Sequence, residues 1–291
     1  MPTVSIVTPV YNAARWLEET LATVRAQTFT DWEHILVDDN SNDGSRAIVE
    51  AASTGDPRIR LIRVPAHGGP AAARNLAIKA ARGRFIAFLD ADDLWLAEKL
   101  ARSVEWLTAH EYDFIYHDYR HISCDGARMG ALISGPEELN LRTLHTRRGH
   151  GGCLSVVIDR ERVPGFLFPE RCKYLHEDFV AWLSLIQRGY TGHRLPVDLG
   201  RYRLSAGSRS ANKLTAATET WKIYREASML PPLRAAGWWM QYAWNGFWLH
   251  RYARPRLSAP GAPLSNPRPA AFAPSPATEN RAVGLRAGQA I

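Results

Sequence analysis

Apolar residues recur along the first ninety positions in two alternating rhythms. Short unbroken runs at Val4–Val10, His34–Val37, Arg60–Val64 and Phe85–Leu89 have the length and β-branched content of strands buried on both faces. Between them, Leu17, Thr20, Leu21 and Val24 recur at helical spacing, as do Ala72, Leu76, Ala77 and Ala80, with Gly83 placed to end the second helix. This order predicts a βαβαβαβ layout, a mostly parallel sheet flanked by helices. Ligands of such sheets lie beyond the carboxyl ends of the strands, so the residues after each strand carry the functional question.

Beyond Leu100 the alternation loosens. Strands are expected at Phe114–His117 and Leu154–Ile158, and a helix at Glu177–Arg188 with an apolar face of Phe179, Trp182, Leu183 and Ile186 and a cap at Gly189. The segment Ala235–His250 is crowded with Trp238, Trp239, Met240, Tyr242, Trp244, Phe247 and Trp248, yet falls short of the roughly 20 residues that span a bilayer. After Arg254 the chain becomes rich in Ala and Pro, a composition that cannot bury enough apolar surface to order itself, so Leu257–Ile291 is expected to be disordered.

Composition narrows the classes. A chain of 291 residues, 46% hydrophobic, suits one α/β domain with additions. No run is apolar and long enough to span a membrane, and a strand-like run opens the N-terminus where an export signal would be apolar and basic, so a cytoplasmic location is expected. Cys124, Cys153 and Cys172 lack CxxC spacing and are expected to be reduced, inert thiols. The net charge of +7 hides an asymmetry: residues 141–291 carry 22 Lys and Arg against 9 Asp and Glu, leaving 14 against 20 in residues 1–140. An acidic front half suits a divalent metal, and a basic back half suits phosphates, anionic lipid head groups or an acidic acceptor. No motif of a nucleic-acid-binding module is present, so no nucleic-acid partner is expected.

Two acidic clusters follow predicted strands. In Val37-Asp38-Asp39-Asn40-Ser41-Asn42-Asp43-Gly44-Ser45, Asp38 and Asp39 sit where a carboxylate can accept from a uracil imide or ribose hydroxyls. Adjacent like charges there are costly unless something binds them. Asp43 and Ser45 suit capping of the helix that begins near Arg46. In Phe85-Ile86-Ala87-Phe88-Leu89-Asp90-Ala91-Asp92-Asp93, five apolar residues run into three carboxylates, a donor set for Mg²⁺ or Mn²⁺ held by one or two carboxylates plus substrate phosphates. Asp93 also suits an acidic helix N-terminus before Leu94.

Together these segments resemble the family 2 glycosyltransferases, whose catalytic domain has the GT-A fold. Ser5-Ile6-Val7-Thr8-Pro9-Val10-Tyr11-Asn12 is similar to that family's first strand and nucleotide-contacting turn, and Asp38–Ser45 to its second signature. Gly69-Pro70-Ala71-Ala72-Ala73-Arg74-Asn75, followed by Gly83–Asp93, is similar to its third, the DxD motif. The match covers roughly residues 3–215, and three motifs in order on the predicted elements weigh far more than a lone DxD. The resemblance implies that Pro9, Tyr11 and Asp39 contact the base or ribose of a nucleotide-sugar donor, that Arg74 lies against the nucleotide, and that Asp90 and Asp92 hold ribose and metal, with Asp92 the direct ligand.

His176-Glu177-Asp178 resembles the family's Glu-Asp signature, which implies Asp178 as general base of an inverting transfer and a supporting role for Glu177. Plain charge at a helix N-terminus accounts for the same residues. Trp182 suits sugar stacking or, better, core packing. The tract Arg201–Lys213, with Arg203 and Ser208, reads either as a loop that closes over the donor diphosphate or as a solvated basic loop; it resembles the tail of the polysaccharide-assembling, teichuronic-acid-type branch. Gly149–Gly152 reads as a close approach to the acceptor or a turn.

The expected organisation is a nucleotide-sugar-binding half (1–100), an acceptor half of the same domain (101–215), a Trp-rich helical extension (216–256) and a tail (257–291). The expected acceptor is a glycan or lipid-linked glycan. The Trp-rich segment, flanked by Arg234, Arg251, Arg254 and Arg256, suits either the inner membrane interface or packing on the domain. A nucleotidyltransferase would place a Gly-rich loop after the first strand, and a dinucleotide-binding dehydrogenase would place GxGxxG there; neither is present. A catalytically inactive nucleotide-sugar-binding module of the same fold is the reading from another class.

Overall fold

The computed structural model describes residues 1–146, 151–170, 177–204, 218 and 220–252, with side chains as far as residue 244. In chain order the elements are β1 (Val4–Val10), α1 (Ala14–Arg25), β2 (Trp32–Asp38), α2 (Ser45–Gly55), β3 (Ile59–Arg63), α3 (Pro70–Ala80), β4 (Phe85–Phe88), β5 (Leu94–Trp95), α4 (Lys99–His110), β6 (Phe114–Ile122), β7 (Met129–Ile133), β8 (Glu138–Leu139), α5 (Leu141–Thr146), β9 (Val156–Asp159), α6 (Glu177–Gln187), β10 (Gly192–Arg203) and α7 (Pro232–Tyr252). A short π-helical turn, Ile223–Ala227, precedes α7.

One mixed sheet follows the path β3-β2-β1-β4-β9-β6-β10-β5, with β7 against β6 and β8 against β10. The four strands read first from the sequence are parallel to one another, while β9 runs against both β4 and β6. Successive side chains point to opposite faces of a strand, and this sorts the apolar runs into two cores. Ile6 and Leu36 join Leu17, Leu21 and Val24 of α1 on one face. Val7, Ile35 and Val37 join Ala73 and Ala77 of α3 and Trp182 of α6 on the other.

Several expectations are refined. Gly83 does not cap α3, which ends at Ala80 and is followed by extended backbone at Ala81. It is small because β1 passes beside it: a Cβ there would sit 2.7 Å from the Ser5 backbone nitrogen. Gly189, at φ +93°, does close α6, its N–H donating to the Ile186 carbonyl. Trp182 is fully buried and donates from Nε1 to the Gly151 carbonyl at 2.7 Å, the core role. Arg201–Arg203 are not loop residues but the end of β10, paired with Arg120–Ile122 of β6. Cys153 is a buried free thiol and Cys124 a half-buried one, while Cys172 lies outside the described residues.

The C-terminal extension packs through a small third cluster. Ile223, Tyr224, Leu230 and Ala235 are buried there, with Phe179, Trp238 and Trp239 against them. Among the described residues no helix is long and apolar enough to cross a membrane. The tail at 257–291, with Arg254 and Arg256, lies outside the described residues.

Candidate active site

The turns that leave β1 and β2 are tied to each other. The Asn12 amide donates to Ser41 Oγ at 3.1 Å, and the Asn42 amide donates to Asn12 Oδ1 at 2.9 Å. Asp43 takes the Ser45 amide at 2.9 Å and the Ala14 amide at 3.0 Å, and Ser45 Oγ takes the Ala13 amide at 2.8 Å. Asp43 therefore serves the first turns of both α1 and α2, whereas Ser45 is itself the first residue of α2 and its hydroxyl serves α1; the cap position of α2 is Gly44, which has no side-chain cap bond.

The adjacent acids at the end of β2 find their partners within the protein. Asp38 is buried, pairs with Arg46 at 2.7 Å and accepts from the Ser41 amide, so it shapes the turn and has no exposed carboxylate to offer a ribose. Asp39 accepts the Gly68 and Gly69 amides at 2.8 Å each and lies 2.9 Å from His67 Nδ1. The His67 ring in turn lies 4.2 Å, centroid to centroid, from Tyr11. Tyr11 and His67 are each about half exposed, an aromatic lip beyond the ends of β1 and β3. Pro9 is half-buried beneath it on β1.

The third cluster is drawn together by one guanidinium. Arg74, on α3, is buried and donates from one terminal nitrogen to Asp90 Oδ1 at 2.5 Å and from the other to Glu177 Oε1 at 2.7 Å. Two carboxylates far apart in sequence are thereby fixed at the end of β4 and the start of α6. The Arg74 Nε is buried without a partner. Arg74 is thus held by the protein's own acids, so its first function is positioning. Its neighbour Asn75 anchors the segment before α6, donating to the Phe168 carbonyl and accepting the Phe168 amide.

Asp92 is half-buried, and burial together with the Asp90 charge pushes its carboxyl up to about 6. Asp93 is buried, its carboxyl raised by burial and by Asp92 and Asp90; it accepts the Arg203 amide at 2.9 Å, and its Oδ2 has no partner. Such a carboxylate cluster gains from a cation. No three ligating side chains converge among the described residues. Asp90 and Asp92 fit an ion that completes its shell with phosphate oxygens and water.

Arg203 does not face a diphosphate. Its guanidinium is buried and donates to Glu19 at 2.6 Å, the Asp92 carbonyl at 2.8 Å and the Cys124 carbonyl at 3.0 Å, which pins the acidic turn to β10. Ser208 and His176 lie outside the described residues. Asp178 stands in the first turn of α6, its Oδ1 taking the Phe179 amide at 2.8 Å. His67, beside Tyr11 and Asp39, carried no signal in the sequence.

A parallel sheet whose strand ends carry tied turns and a carboxylate cluster, extended by antiparallel strands, is the architecture of GT-A glycosyltransferases. Among solved structures, S. aureus TarS 1–349 in complex with UDP-GlcNAc shares this fold with a TM-score of 0.63 at 20% identity, over 87% of this chain and 74% of that one. The mannosyltransferase PcManGT from Pyrobaculum calidifontis, in complex with GDP-Man and Mn²⁺, aligns with a TM-score of 0.60 at 20% identity, over 87% and 75% of the two chains. The chain belongs to glycosyl transferase family 2, whose pattern it matches over residues 5–158. It is 37% identical over 244 residues to TuaG of Bacillus subtilis (strain 168), named as a teichuronic acid biosynthesis glycosyltransferase, covering 84% of this chain and 96% of that protein. It is 35% identical over 222 residues to WfgD of Escherichia coli, named as a UDP-Glc:α-D-GlcNAc-diphosphoundecaprenol β-1,3-glucosyltransferase, covering 76% and 84%. The chain is a glycosyltransferase of the polysaccharide-assembling kind.

Proposed function

We propose that this enzyme transfers a sugar, with inversion, from a nucleotide-diphosphate sugar, a UDP-sugar by the similarity to WfgD, onto a hydroxyl of a glycan or lipid-linked glycan in cell-surface polysaccharide synthesis. The observation that carries the reading is the Arg74 bridge, which holds Asp90 and Glu177 to one side chain and so sets the donor end and the base end at fixed separation. Tyr11, with Pro9 beneath, receives the base. Asp39 orders the Gly68-Gly69 turn that faces it.

Asp178 takes the proton of the acceptor hydroxyl while that oxygen bonds to the anomeric carbon, and the bond from the anomeric carbon to the nucleoside diphosphate breaks. Glu177, fixed by Arg74, keeps the first turn of α6 in place. Asp90 and Asp92 would hold Mn²⁺ or Mg²⁺, which supplies charge neutralisation to the leaving diphosphate. Asp178→Asn tests this assignment: UDP affinity measured by calorimetry with Mn²⁺ is expected to stay within twofold, and transfer to fall by roughly 10²–10⁴. Undiminished transfer would move the base elsewhere.

The extension supports contact with an anionic bilayer at the cytoplasmic face. Leu233, Met240 and Trp244 fall on one side of α7 and are 90%, 61% and 61% exposed, next to the exposed Arg234. Leu233→Ser with Met240→Ser is expected to reduce co-sedimentation with anionic liposomes. Unchanged co-sedimentation would make α7 a packing element only.

A further inference from the structure

Three aromatic side chains stand near the carboxylate cluster with no part in the reading above. Tyr119 and His121 project from β6, two positions apart and so on one face, and Tyr202 stands on β10 directly paired with His121. Ring centroids are 6.0 Å apart for Tyr119 and His121, 6.1 Å for Tyr119 and Tyr202, and 5.5 Å for His121 and Tyr202, with interplanar angles of 62°, 49° and 60°. Tilted rings at these spacings form an open cup and not a closed stack. All three are only partly buried.

The sheet order separates this cup from the nucleotide lip. Tyr11 and Asp39 follow β1 and β2, the acidic turn follows β4, and the three aromatics lie on β6 and β10 across the intervening β9. The acidic turn therefore lies between lip and cup. Burial raises both phenols above their ordinary value; Asp178 and Asp93 add to the rise at Tyr119, and Asp93, Asp90 and Asp178 add to it at Tyr202. Both hydroxyls are thus neutral donors at physiological pH, close to the base and the metal-binding acids. The His121 Nδ1 is buried and has no partner, while the half-buried phenols make no hydrogen bond among the described residues.

We infer that Tyr119, His121 and Tyr202 form the subsite for the terminal pyranose of the acceptor. A pyranose offers an apolar face of C–H bonds to the rings and a rim of hydroxyls to the phenols and the imidazole, which meets both the apolar and the unsatisfied polar needs of the cup. A nucleobase has no such rim, and a lipid tail would leave the Nδ1 of His121 buried without a partner. The inference rests on the transferase reading and deepens it, by placing the acceptor across the acidic turn from the nucleotide.

The test uses the full chain, UDP and UDP-glucose with Mn²⁺, and as acceptor probe GlcNAc joined through a diphosphate to a short alkyl chain. Tyr119→Phe with Tyr202→Phe preserves ring packing, and thermal melting checks the fold; Tyr119→Ala with Tyr202→Ala removes the cup. The Phe pair is expected to weaken probe binding roughly tenfold, the net worth of one or two hydrogen bonds, and the Ala pair further, with UDP affinity unchanged. Probe affinity within twofold of wild type in both pairs, beside normal UDP binding, would overturn the subsite alone. So would loss of UDP-glucose affinity with the probe unaffected, which would assign the cup to the donor hexose. Failure of the wild type to bind UDP would overturn the UDP-sugar donor of the proposed function and not the subsite, which the probe arm decides by itself.

Discussion

The strand-end turns of the nucleotide half and the helix α7 of the extension are held by different chemistry. In the turns, backbone amides at Ala13, Ala14, Gly68 and Gly69 are taken by Ser45, Asp43 and Asp39, so polar side chains fix backbone positions one by one. Helix α7 is held by apolar contact of Ala235, Trp238 and Trp239 with Ile223, Tyr224 and Phe179, while Leu233 is 90% exposed and the polar ties of the extension, Ser228 and Tyr224 to His145, lie in the segment before the helix. Hydrogen bonds with geometry suit a site that must place a leaving group. An apolar attachment with an open apolar face suits a surface that meets something else.

The largest effect is expected at Arg74. Arg74→Ala leaves Asp90 and Glu177 facing each other without their shared cation, and is expected to cost about 3 kcal/mol, the low end for breaking a buried ion pair, read from the urea midpoint. Transfer should fall below detection, and Arg74→Lys should recover stability but not transfer, because an ammonium cannot reproduce the two-armed bridge. Asp39→Ala strips the acceptor from two turn amides and is expected to cost about 2 kcal/mol with weaker UDP binding, measured by melting and calorimetry.

A smaller, pH-dependent effect belongs to Asp92. Its carboxyl is raised from 3.8 to about 6, so the folded state holds the proton more tightly than the unfolded chain. Metal-free stability should therefore fall as pH rises through the window from about 4 to about 6. Mn²⁺ competes with that proton, so the melting shift it produces should grow over the same window, and Asp92→Asn should flatten both trends. The smallest stability effect is expected on the open face of α7: Leu233→Ser should change the melting free energy by less than about 0.5 kcal/mol while reducing liposome binding.

Much of the nucleotide half was legible because its strands are buried on both faces and read as continuous apolar runs. β1 has the bounds expected of it, and β2, β3 and β4 differ from expectation by a residue or two. β10 was not legible: Pro196 and Gly200 interrupt its pattern, and its pairing with β6 shifts register between Leu195 and Asp198 and again before Gly200. For the same reason Arg203 read as part of a loop, although its donors are consumed by Glu19, Asp92 and Cys124. The acidic residues of the site announced themselves as like charges at strand ends. Their partners did not, since Arg74 of α3 meets Glu177 of α6 across 103 positions of chain, and no local pattern records a contact between residues so distant in sequence. The aromatic cup escaped because β6 runs on past His117 to Ile122.

Inverting transfer across the Arg74-bridged site is read most directly by proton NMR of the product formed from UDP-α-D-glucose and the GlcNAc-diphosphate-alkyl probe in the presence of Mn²⁺. A β-anomeric glucosyl linkage is expected from the first turnovers. An α-anomeric product would contradict single-displacement inversion with Asp178 as base, whichever residue were then assigned the chemistry.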